Sequence, residues 1–131
     1  MRFLLTVYDD ERHWASVSEE EAKAEIDKYW ALDDEATKRG VLVESGGLLP
    51  TTSAKTVRIR EGEQSVTDGP FAETKEQLGG FYLLDCESLD EALGWAAKIP
   101  AARTGSVEVR ELMDYEAAGF SKPDGEAARS A

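Results

Sequence analysis

Three carboxylates, an ammonium and a rigid turn share the run Asp68-Gly69-Pro70-Phe71-Ala72-Glu73-Thr74-Lys75-Glu76-Gln77-Leu78-Gly79-Gly80-Phe81. Asp68 has two readings. In one it is a turn residue that bonds the backbone just after it, where Gly69 tolerates positive φ and Pro70 fixes φ. In the other the turn holds its carboxylate at a pocket mouth, where it accepts a proton or binds a cationic group. Glu73, Lys75 and Glu76 divide in the same way. They form either a solvated loop with a local ion pair worth under about 1 kcal/mol, or a polar ligand site with Lys75 between acids. In the site reading Asp68 and Glu73 are the acid–base candidates, and Phe71, Lys75 and Glu76 contact ligand. Gly79-Gly80 then allows the backbone to come close to the sheet end.

Asp33 lies four residues after Tyr29 and seven after Ile26, in what is otherwise an apolar helical stripe. A buried carboxylate needs a partner. Either the helix turns this stripe toward solvent in its second half, or Asp33 reaches a cavity between helix and sheet. Tyr8, His13 and Tyr29 join Asp33 as candidate ligand contacts, with His13 and Trp14 in a loop above the sheet end. His13 is the only histidine and Cys86 the only cysteine. These counts exclude an intrachain disulfide and argue against a Cys/His metal site. Cys86 reads as a small, partly buried hydrophobe rather than a thiol activated by a base. No metal and no cofactor are expected.

The elements that position these residues follow from periodicity. Phe3 to Tyr8 is apolar on both alternating faces, as is the stretch from Gly80 to Asp85, so both strands belong at the centre of a sheet. Ser18 stands three residues before Glu21 and Ser88 three before Glu91, the spacing of a capping box. The first helix carries a stripe of Ala22, Ile26, Tyr29, Trp30 and Ala36 and stops at Gly40. The second carries Leu89, Ala92, Leu93, Ala96 and Ala97 and ends at Pro100. Asp9 to Val17 reads as a polar connection. Val41 to Val43 reads as a short strand ended by Ser45-Gly46-Gly47. Val57 and Ile59 alternate with arginines, and Gln64 to Thr67 returns as a hairpin strand after Glu61-Gly62-Glu63. Val107 to Arg110 reads as an edge strand. The order β-α-β-(hairpin)-β-α-β is the α+β, ferredoxin-like βαββαβ arrangement with a hairpin insertion.

Several runs resemble one family. The Asp68–Phe81 run is similar to the motif of the DGPF branch of the YCII-related domain family. Gly40-Val41-Leu42-Val43, Ala54-Lys55-Thr56-Val57-Arg58, Glu91-Ala92-Leu93-Gly94-Trp95-Ala96 and Val107-Glu108-Val109-Arg110 extend the likeness from Phe3 to about Met113. The resemblance implies a dimeric α+β barrel, and a branch whose genes often lie near extracytoplasmic-function sigma factors. The wider family is suspected of enzymatic activity through a His and Asp pair. By spacing, those positions fall near Tyr29 and Ile99 here, so that dyad is not carried over.

The chain of 131 residues fits one domain, expected over 1–113, with a flexible polar tail over 114–131. A net charge of −12 argues against nucleic acid and against anionic membranes. The N-terminus is too quickly acidic for a signal peptide, and a cytoplasmic location is expected by default. Two-faced central strands under one helical layer leave a sheet face bare, which predicts a homodimer packed sheet to sheet. The functional expectation is a domain binding a small polar organic molecule beside the motif loop. The alternatives are a cofactor-independent enzyme with Asp68 or Glu73 as general acid or base, and a regulatory partner of a sigma factor.

Overall fold

The computed structural model describes residues 1–123. Two serine N-caps set the two long helices. Ser18 Oγ accepts the Glu21 N–H at 3.1 Å and opens α2 (Glu19–Lys38), and Ser88 Oγ accepts the Glu91 N–H at 3.1 Å and opens α3 (Leu89–Lys98). Each cap satisfies one of the helix's orphan N–H donors. Glu91 also accepts the Glu87 N–H at 3.1 Å.

The strands are β1 (Arg2–Asp9), β2 (Leu42–Gly47), β3 (Lys55–Arg60), β4 (Glu63–Asp68), β5 (Gln77–Asp85) and β6 (Ser106–Glu111). Four of them form an antiparallel sheet in the order β2-β5-β1-β6. The two strands with two apolar faces are the central pair, and the fold is the α+β ferredoxin-like one. Among the described residues β3 and β4 pair only with each other, through the two-residue turn Glu61-Gly62, where both φ angles are positive, at 53° and 80°. That sign is what a tight hairpin turn of matching twist demands.

One face of the sheet carries the core. Phe3, Leu5 and Val7 of β1 and Tyr82 and Leu84 of β5 pack on Leu32 and Ala36 of α2 and on Ala92, Trp95 and Ala96 of α3. Phe3, Leu5, Leu84 and Ile99 are the largest fully buried side chains, each worth about 1.5–3 kcal/mol. Cys86 is buried in this cluster, and burial pushes its thiol pKa up. The opposite face of the central strands carries Leu4, Thr6, Phe81 and Leu83, all half-buried.

Three local expectations change. The segment expected as a connection over 9–17 contains a short helix, α1 (Arg12–Ser16), because the Asp10 carboxylate accepts the Arg12 N–H at 3.0 Å and pairs with its guanidinium. β2 does not stop at Val43 but runs through Ser45-Gly46-Gly47, which pair with Tyr82, Phe81 and Gly80. On α2, Trp30 is off the core face and 65% exposed. The inward seam is Ala22, Glu25, Tyr29, Leu32, Asp33 and Ala36. At about 100° per residue, Trp30 cannot share a face with both Leu32 and Ala36. Of the expected tail, 114–123 is exposed, with Tyr115 and Phe120 meeting edge to face at 6.4 Å, and 124–131 lies outside the described residues.

Candidate functional site

A cavity of about 530 Å3 lies between α2 and the sheet. α2 turns Ile26, Tyr29 and Asp33 toward it because they fall on one side of the helix at spacings of three and four. Val7, Ser45 and Tyr82 form its sheet side, Trp14 of α1 closes one end, and Leu48, Leu49 and Pro50 reach over it after β2. The first half of β5, Gln77 to Phe81, borders it too, so the end of the motif run reaches the cavity. Gly80 is required there. A Cβ on it would lie 2.8 Å from the Gly46 carbonyl oxygen of the neighbouring strand.

The lining is mostly apolar, with one carboxylate in its floor. Ser45 Oγ donates to Asp33 Oδ2 at 3.3 Å. Asp33 Oδ1 is buried and lacks a hydrogen bond of ordinary geometry. The Tyr82 phenol is pushed far above the ordinary range, first by burial and then by the Asp33 carboxylate, through its charge and through the phenol's approach as a donor to it. Tyr29 is raised as well, mainly by burial, with the Ala101 backbone working against the rise. Both phenols stay protonated at neutral pH and remain able to donate.

A chain of hydrogen bonds fixes the cavity mouth. The Glu11 carboxylate accepts the Thr51 N–H at 3.0 Å and also the Thr51 hydroxyl. The Glu11 N–H donates to Gln77 Oε1 at 2.9 Å, and Gln77 Nε2 donates to the Thr74 carbonyl at 2.6 Å. The over-reaching loop, the start of α1 and the motif run are thereby joined. Asp9, at the same end, accepts the Thr104 hydroxyl at 2.8 Å.

The residues singled out from sequence fall into two groups. Tyr29 and Asp33 line the cavity. Asp68, Phe71, Glu73, Lys75 and Glu76 do not, and neither do Tyr8 and His13. Asp68 pairs with Lys55 at the end of the hairpin with its side chain 86% exposed, while Gly69 takes φ 92° and donates its N–H to the Ala54 carbonyl at 2.7 Å. Phe71 is 81% exposed, and Glu73 and Lys75 face solvent. Glu76 accepts the Ser106 hydroxyl at 2.9 Å. His13 Nε2 lies 3.3 Å from Glu25 Oε2, and its ring meets Trp14 edge to face at 6.1 Å. Trp14, Ser45, Glu11 and Tyr82 are the site residues that sequence reasoning missed. Only Tyr82 carried a signal, since its side chain had to enter the core side of a two-faced strand.

The signature of the YCII-related domain matches residues 1–116. The chain belongs to the YCII-related domain family. An uncharacterised protein of Rhizobium meliloti (strain 1021) is 45% identical over 118 residues, which is 88% of this chain and 95% of that relative. Among solved structures, 5-chloro-2-hydroxyhydroquinone dehydrochlorinase from Burkholderia phenoliruptrix AC1100, in complex with 2,5-dihydroxybenzoquinone, superposes with a TM-score of 0.47 at 17% identity. That match covers 86% of this chain and 94% of the other.

Proposed function

We propose that this YCII-related domain binds a small, largely apolar organic molecule between α2 and the sheet, with a hydrogen-bond donor of that molecule on the Asp33 carboxylate. The observation that carries this reading is a half-buried carboxylate in the lining of an apolar-walled cavity, one of whose oxygens lacks a hydrogen bond of ordinary geometry although the Tyr82 phenol lies close by. Leaving such an acceptor unsatisfied costs about 1–3 kcal/mol, more for a charged group. A ligand donor removes that cost. The volume of about 530 Å3 suits a small-molecule site. The test uses benzyl alcohol, which has an apolar ring and one hydroxyl donor. Titrated into labelled protein, it should shift the resonances of Tyr29, Asp33 and Tyr82. Ile26→Trp, at a half-exposed position on the cavity wall, should weaken that binding at least about tenfold, or 1.4 kcal/mol, with little loss of stability. Equal binding by Ile26→Trp, or shifts confined to other surfaces, would contradict the reading.

We also propose that two copies pack through the sheet face opposite the helices. Leu4, Thr6, Phe81 and Leu83 support this, because the central strands are apolar there and both long helices cover the other face. Light scattering should give about twice the 14.4 kDa chain mass. Leu83→Glu should shift the population to one chain mass. A monodisperse monomer at micromolar concentration would contradict the pairing.

A further inference from the structure

The charges around the cavity narrow the class of ligand. Among the described residues its lining includes three acids, Asp9, Glu11 and Asp33, and no lysine, arginine or histidine. Among the described residues, none of the three is in an ion pair with a basic side chain. Glu11 and Asp9 at least have hydroxyl donors, from Thr51 and Thr104. Asp33 has the Ser45 hydroxyl on one oxygen and the neutral Tyr82 phenol close by, neither of which balances its charge. A carboxylate beside apolar walls needs a counter-charge more than one in water does. Around it, aromatic side chains of Trp14, Tyr29 and Tyr82 border the same space. Aromatic faces attract a cation through the ring quadrupole. The whole chain, at −12, adds a field of the same sign.

A metal ion does not fit. Among the described residues no group of three or more His, Cys, Asp or Glu side chains converges as a metal cluster would. A carboxylate or phosphate ligand does not fit either, since among the described residues no cation lines the cavity to receive it. We propose that the ligand is an organic cation, a small molecule whose protonated amine pairs with Asp33 while its apolar body lies against Trp14, Tyr29 and Tyr82. This rests on the cavity being a binding site and adds the charge of its occupant.

The competing explanation is structural. Ser45 Oγ joins Asp33 of α2 to β2, and a neutral acceptor would serve that purpose equally well. The experiment therefore compares three probes of matched ring and different charge at pH 7: benzylamine, benzyl alcohol and benzoate. Each is titrated up to about 10 mM, the range in which fragments of this size bind, with the resonances of Tyr29, Asp33 and Tyr82 as the readout. Benzylamine should bind at least about tenfold more tightly than benzyl alcohol, because charge-assisted hydrogen bonds are the stronger kind, and benzoate should not bind. In Asp33→Asn the preference for benzylamine over benzyl alcohol should vanish. The comparison of three probes on the unmodified chain stands even if that variant fails to fold. Benzyl alcohol equal to benzylamine, or benzoate the tightest, overturns the cation assignment and leaves the cavity reading intact. Shifts at the cavity with none of the three overturn both.

Discussion

Asp33 and Tyr82 form the chemical centre of the cavity, and each has a consequence that can be measured. Burial and the Asp33 carboxylate both disfavour the Tyr82 phenolate, so the folded pKa lies above the ordinary value near 10. Below about pH 10 both states hold the proton and the term is constant. Above it the unfolded chain releases the proton while the folded chain keeps it, so the unfolded state binds fewer protons and stability falls as pH rises. Melting temperatures between about pH 9 and pH 11 should drop steeply for the natural chain. Tyr82→Phe should show a shallower alkaline limb. Identical limbs would contradict the assignment. Asp33 was visible in the sequence as a charge on an apolar stripe, a conflict that local pattern alone exposes. Its partner Ser45 was not, because strand pairing and helix docking bring the two residues together from separate elements.

The elements were most legible where the physics is local. Both serine N-caps form as the Ser–Glu spacing requires, without the reciprocal glutamate bond to the cap N–H, and Ser18→Ala should cost about 1 kcal/mol by removing one N-cap acceptor. The motif run was less legible, because its residue types fit two roles equally well. In the folded chain Asp68 pairs with Lys55, Gly69 bonds Ala54, and Thr56 Oγ1 donates to the Gly69 carbonyl at 2.8 Å, which together pin the hairpin base. Its later residues act through backbone and amide contacts, with Gln77 holding Glu11 and Gly80 allowing β5 to approach β2. Asp68→Asn, at an exposed ion pair, should therefore change stability by less than about 1 kcal/mol. Gly80→Ala should cost about 1–3 kcal/mol, because the new methyl meets backbone rather than a movable side chain. Chemical denaturation of the two variants checks the ranking, and a costlier Asp68→Asn would reverse it. The short helix α1 was missed because it lies in a segment that lacks apolar periodicity and its N-cap, Glu11, makes no side-chain cap bond, the Arg12 N–H going instead to the Asp10 carboxylate just before it. The Asp10–Arg12 pair that holds it also lowers the Asp10 pKa to about 2.

At the scale of the molecule, the sheet order could be read from sequence because two-faced apolar strands have only the centre of a sheet to occupy. That reading also marks the face that the helices leave uncovered. The cavity could not be read this way. It arises where α2 stands off the sheet while α1 and the loop after β2 fold over one end, a geometry set by contacts such as Glu11 to Thr51 across forty positions of chain. Among the described residues no helix is long and apolar enough to cross a membrane. The acidity of the chain bears on the ligand too, since a field of this sign repels anions and draws cations toward an acidic cavity.

The central claim is that the cavity between α2 and the sheet is a ligand site organised by Asp33. A crystal structure of the protein soaked in benzyl alcohol tests it most directly. The account predicts density for one ring among Trp14, Tyr29 and Tyr82, with the hydroxyl about 2.7 Å from an oxygen of the Asp33 carboxylate. Density for the probe only on outer surfaces, with the cavity collapsed or Asp33 turned out to solvent, would contradict it.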